Sequence, residues 1–177
     1  MCDQIRGSVA VTGHRVVPSA DMGWYRSELR RVFEKLSPSA VLSGMALGVD
    51  QEAAAIALDM GLPLVAVVPF PGQDSGWDEL DKKRYLGLLA RAERAVNVSP
   101  QPPVDARDAT AKLLRRNEVL VEMASTVVAC WSGKKSGGTW YTIKASKGMG
   151  KPTVVVRPGL QTVVQRPLFP ALPAQHR

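Results

Sequence analysis

Histidine and cysteine are nearly missing: 177 residues contain His14, His176, Cys2 and Cys130 and no others of either type. A histidine-rich metal site is therefore excluded, and the cysteine spacing matches neither a zinc nor a redox motif. Cys130 lies inside the apolar run TVVACW, as a reduced core thiol does. Also lacking is any apolar stretch near the ~20 residues that a bilayer-spanning helix needs. The first residues, MCDQIRGSVAV, place no long apolar core behind a basic start, so a cytoplasmic protein without membrane contact is expected. There is no internal repeat, no low-complexity block, no G-x-G-x-x-G and no Walker loop; Gly133 and Gly138 have the Walker spacing, but Thr139 stands where the lysine belongs.

Acid is absent after Glu122. Residues 112–177 carry 11 Lys/Arg against Glu118 and Glu122, whereas residues 1–111 carry 12 against 14 Asp/Glu, so the overall +7 resides in the C-terminal part. Such an asymmetry suits phosphate-bearing partners, a nucleotide or a nucleic acid backbone, and charge alone does not separate these from a solvated basic face.

What is present is alternation. Short β-branched runs (residues 8–12, 40–43, 64–68, 95–98, 126–131 and 153–156) interleave with segments of helical period (21–36, 49–60, 77–92, 109–124 and 139–148). This pattern predicts a single α/β domain over residues 1–156, a Rossmann-like doubly wound fold. Its mostly parallel sheet has about six to seven strands flanked by helices. Residues 157–177, with four prolines, read as a basic tail that docks on the body or stays loose.

In such a sheet ligands bind beyond the carboxyl ends of the strands. Three loops of unusual composition fall there. The first, TGHRVVP, offers Gly13 for close approach and His14 and Arg15 as donors. The second lies in VLSGMALGVDQEAAA. There Ser43 ends a strand, Gly44 and Gly48 flank a turn, and Val49 opens a helix whose free N–H groups suit an anion. Asp50 in that first turn either stabilises the helix or touches a ribose, and Glu52 is its neighbour as a candidate acid. The third, WSGKKSGGTWYT, supplies Ser132 and the group Gly137, Gly138 and Thr139 at a helix start, a phosphate-binding loop with Lys134 and Lys135 adding charge. Lys144, Lys147 and Lys151 read instead as a solvated stripe. On the fourth helix Arg116 and Asn117 interrupt an apolar stripe, so the polar amide must find partners. Phe70 and Trp77 follow the third strand and are the favoured base-stacking aromatics, with Trp140 an alternative beside the double glycine.

The motifs TGHR, SGMALGVDQEAA, PFPGQDSGW, Arg116-Asn117 and SGGT, in this order, resemble those of the SLOG superfamily, which joins the DNA-processing protein Smf/DprA with the LOG cytokinin-activating enzymes. The nearest branch by these motifs is the YpsA-like one. The resemblance spans residues 8–156 and implies a domain that binds a nucleoside monophosphate or an ADP-ribose-like ligand as sensor, carrier or sequestering protein. No cofactor is implied with certainty. It also implies a homodimer, because relatives pair through helices flanking the site. LOG enzymes hydrolyse a nucleotide N-glycosidic bond with an arginine, which Arg116 resembles, and a glutamate, whose place Thr142 takes here. A threonine cannot serve as that ionised acid/base. Catalysis would then fall to Asp50 or Glu52 with Arg116, and binding without turnover is favoured. DprA-like members bind single-stranded DNA, the third reading.

Overall fold

Period-two runs of Val, Ala and Leu form strands because branched side chains pack well on a pleated surface. The computed structural model describes residues 3–158 together with the backbone of residues 163–165. Its elements run β1 (Val9–Gly13), α1 (Ser19–Leu36), β2 (Val41–Ser43), α2 (Val49–Asp59), β3 (Leu64–Val68), α3 (Glu79–Ala90), β4 (Arg94–Asn97), α4 (Ala106–Met123), β5 (Thr126–Cys130), α5 (Gly137–Gly148), β6 (Thr153–Val156) and β7 (Val163–Gln165).

One sheet holds them in the order β4-β3-β2-β1-β5-β6-β7. β1 through β6 are parallel, with Val9 opposite both Val41 and Thr126. β7 pairs antiparallel to β6, Val154 facing Val164. This last strand lies in the segment expected as a tail; residues 159–162 and 166–177 lie outside the described residues, as do Cys2 and His176.

Alternation along each strand divides the core. Val9, Val11, Val41, Val128 and Cys130 point to the face covered by α1 and α2. Ala10, Leu42, Val65, Val67 and Val127 point to the face covered by α4. Each fully buried Val or Leu contributes roughly 1.5–3 kcal/mol through water exclusion. Cys130 is buried, with no disulfide partner among the described residues, and burial pushes its thiol pKa far up, so it behaves as a small apolar residue.

Capping sets the helix starts more than periodicity does. Asp78 and Asp105 accept from the N–H of Asp81 and Asp108, at 2.9 and 2.7 Å, and so fix the starts of α3 and α4. α3 consequently begins two residues after the expected Trp77, and α4 three before Ala109. α5 begins at Gly137 rather than Thr139. Both glycines therefore belong to its first turn.

The chain adds β2, β3 and β4 outward from β1 and then returns through α4 to lay β5 on β1's other side. Between β1 and β5 the winding reverses, which opens a crevice at their carboxyl ends.

Candidate ligand cleft

A cleft of about 610 Å³ occupies that crevice. Its walls come from the end of β1 and the loop after it (Thr12, Gly13, His14, Arg15), the turn into α2 and its first turn (Ala46, Asp50), the inner face of α4 (Thr110, Leu113, Leu114, Arg116, Asn117), and the loop into α5 with its first turns (Lys135 through Tyr141, and Lys144).

The α5 end is its most anion-suited part. Ser136 is the cap residue, yet its side chain makes no capping bond, and no acid lies in the first turn. The amides of Gly137, Gly138 and Thr139 thus face an unfilled demand for acceptors at the positive end of the helix. Lys135 and Lys144 lie beside them, and Arg15 approaches from the other wall. Asn117 sits 3.5 Å from the Cβ direction of Gly138; its amide makes no hydrogen bond among the described residues and is open to a ligand.

The floor holds a buried ion pair. Arg116, 4% exposed, donates through Nη1 to the carbonyl of Gly44 and lies 3.7 Å from the Asp50 carboxylate. Its Nε has no hydrogen-bond partner among the described residues. Burial pushes the Asp50 carboxyl up to about 6, against the opposing pull of Arg116 and of N–H bonds from Ala46 and Gly13. Burial likewise lowers the Arg116 pKa, with Asp50 resisting. Asp50 is the only acid lining the cleft among the described residues.

His14 serves the architecture. Its Nε2 accepts from the Ser132 N–H at 3.0 Å, joining the loops after β1 and β5. Burial, and then Lys134, lower its pKa, which keeps the imidazole neutral and this lone pair committed.

Several expected contacts lie elsewhere. Ser43, Gly44, Gly48 and Val49 do not line the cleft. Gly48 has φ +80°, and a Cβ there would strike the carbonyls of His14 and Arg15; the Val49 N–H donates to the His14 carbonyl at 3.2 Å. A Cβ on Gly44 would strike the Arg116 guanidinium. These glycines make room for neighbouring protein rather than for a phosphate, and Val49 is completely buried, so the α2 N-terminus is closed. Ser43 Oγ donates to the Asp50 carbonyl at 2.7 Å and accepts from the Met45 N–H, pinning the loop.

Glu52, two residues beyond Asp50, points away from the cleft. Arg26 and Arg84 hold it at 2.7 Å each, and these bonds outweigh burial to keep its pKa below the usual value. Phe70 is buried, and Trp77 packs edge-on against Tyr85, 5.4 Å between centroids, in the apolar cluster under α3. Ser132 meets the site only through its backbone bond to His14. The aromatics at the cleft are Trp140 and Tyr141.

Thr142, in the position of the LOG glutamate, is 1% exposed and bonds back to the Gly138 carbonyl at 2.9 Å. Lys144, expected in a solvated stripe, lines the cleft with its ammonium 6.0 Å from the Tyr141 ring. The wall residues Thr110, Leu113 and Leu114 were legible in principle: they extend the helical row of Asn117 backward by seven, four and three residues.

Fold and cleft together define a Rossmann-like α/β protein whose strand-end crevice is lined by cations and an open helix N-terminus. The chain belongs to the DNA recombination-mediator protein A family, whose model matches residues 2–166. Curated relatives include UPF0398 proteins of Bacillus pumilus, 27% identical over 86 residues (49% of this chain, 44% of the relative), and of Halalkalibacterium halodurans, 26% over 112 residues (60% and 57%). The chain thus spans about half the length of these relatives. Among solved structures, DNA processing protein A of Streptococcus pneumoniae superposes with a TM-score of 0.62 at 18% identity, covering 90% of this chain and 52% of that one. The Helicobacter pylori counterpart, studied for its single-stranded DNA binding mode, gives 0.62 at 19%, covering 88% and 67%. At these identities the likeness concerns the fold. No helix among the described residues is long and apolar enough to cross a membrane.

Proposed function

We propose that the protein binds single-stranded DNA, seating one nucleotide unit of the strand in the cleft between β1 and β5. The observation that carries this reading is the open N-terminus of α5, acid-free in its first turn and flanked by Lys135 and Lys144. A phosphate would accept from the amides of Gly137, Gly138 and Thr139, with Arg15 balancing charge across the cleft. Asn117 would meet the sugar, and the Asp50–Arg116 pair would form the floor beneath it. Membership of the DNA recombination-mediator family, and a fold shared with a protein that binds single-stranded DNA, support the choice of strand over free nucleotide.

A second reading, a free nucleotide or ADP-ribose-like ligand held without turnover, is favoured by the volume of the cleft, which falls in the range of small-molecule sites. Fluorescence anisotropy of a dye-labelled oligothymidylate separates the two. Strand binding predicts log affinity falling with log salt by about 0.7 per phosphate held, and a loss of tenfold or more in Lys135→Glu/Lys144→Glu and in Gly138→Asp. Tight binding of AMP or ADP-ribose with no binding of the oligomer would overturn the first reading in favour of the second.

A further inference from the structure

Four tryptophans occur in the chain, and two of them are not spent on the core. Trp24 and Trp77 pack against the apolar clusters, whereas Trp131 and Trp140 belong to none of the three. These two are half-buried and stack on each other, ring centroids 5.3 Å apart and planes 16° from parallel. The Trp131 indole N–H donates to the Lys134 carbonyl at 2.8 Å, which fixes its plane. Trp140 stands in the first turn of α5, three residues past Gly137, and lines the cleft.

Trp140 lies at the cleft beside the phosphate-suited end of α5, and its flat indole, already stacked on one ring, suits a flat aromatic partner there. We propose that Trp140, backed by Trp131, is the platform on which a base of the bound strand stacks while the adjoining phosphate rests on the α5 amides. The inference rests on the strand-binding reading above and assigns the base its place. Two features make the platform effective. The backing ring holds Trp140 in one orientation, so stacking costs little side-chain entropy. Every base has a π-face, so the platform accepts any sequence and confers binding without base readout.

The test compares a single-stranded oligothymidylate with an abasic oligomer of equal length, using anisotropy and tryptophan quenching on wild type, Trp140→Ala, Trp140→Phe and Trp131→Leu. Wild type is expected to prefer the base-bearing strand about tenfold, with quenched indole emission. Trp140→Ala should bind both oligomers equally, at the wild-type abasic level and with unchanged salt slope, and Trp140→Phe should keep most of the preference. Trp131→Leu should lose part of it. Equal binding of both oligomers by wild type, or a preference surviving in Trp140→Ala, overturns the platform and leaves strand binding intact. Binding of neither oligomer overturns the strand reading and the platform with it.

Discussion

Replacing Arg116 with methionine, a side chain of similar length without charge, should make the stability of this protein steeply pH-dependent above pH 6. In the wild type the Asp50 carboxyl rises from an ordinary 3.8 to about 6. A raised acid binds its proton more tightly in the folded chain than in the unfolded one, so stability falls as pH climbs from about 4 to 6. At ~1.4 kcal/mol per unit the fall totals about 3 kcal/mol, and nothing further is lost from this group above pH 6. At 3.7 Å Arg116 attracts the ionised carboxylate by about 4 kcal/mol at an effective dielectric constant near 20. Its removal would therefore lift Asp50 by up to about 3 further units. The loss then continues between pH 6 and 8, and the stability gap between wild type and Arg116→Met should widen by about 3 kcal/mol over that interval. Urea unfolding followed by circular dichroism at pH 6, 7 and 8 measures the gap directly. Arg15 and Cys130, which also interact with Asp50, are common to both proteins and cancel in the difference. The double variant Asp50→Asn/Arg116→Met should restore the wild-type pH profile above pH 6. Parallel profiles for wild type and Arg116→Met would refute the claim that these two charges support each other in the cleft floor.

Gly44→Ala should destabilise by about 3 kcal/mol, since its Cβ would displace the Arg116 guanidinium, and a urea midpoint unchanged from wild type would contradict the geometry. Glu52→Gln should cost only about 1–2 kcal/mol, because Arg26 and Arg84 are about half exposed, and should leave oligonucleotide affinity intact. The Glu52 contribution is present above its unfolded pKa near 4.5 and disappears as pH falls through its lowered folded value, which urea unfolding between pH 3 and 6 would show. Gly87→Ala, in the open middle of α3 with nothing within 4 Å of its Cβ direction, should stabilise by about 1 kcal/mol, a Tm rise of about 2–4 °C by calorimetry.

Asp50 and Glu52 show how far a sequence carries such reasoning. Both are acids in the first turn of one helix after one glycine loop, and the linear chain treats them alike. Two residues of helix turn them about 200° apart, so one faces Arg116 of α4 and the other Arg26 of α1 and Arg84 of α3. The partners come from distant elements, and nothing local to the loop names them. The glycines Gly44 and Gly48 suffered the same ambiguity: their presence announces close approach, but the approaching atoms are the Arg116 guanidinium and the His14 and Arg15 carbonyls. Among the aromatics, Trp77 followed a strand end and promised a ligand contact, yet Tyr85 one helix later claims it, and Trp140 holds the cleft position.

The elements themselves were written locally. β3 and β6 occupy the very runs Leu64–Val68 and Thr153–Val156 that their branched side chains mark, and α2 starts at Val49 where the glycine turn ends. Hydrophobic period depends on backbone geometry alone, so the sequence determined the alternation of strands and helices, the parallel doubly wound class, and the crevice end of the sheet on which Gly13, Arg116 and Gly138 all fall. The tertiary structure decided which helix N-terminus is open and which is shut, which carboxylate meets the cleft, and which indoles remain uncovered. Those outcomes depend on contacts between residues far apart in the chain, whose identity is set only when the layers pack.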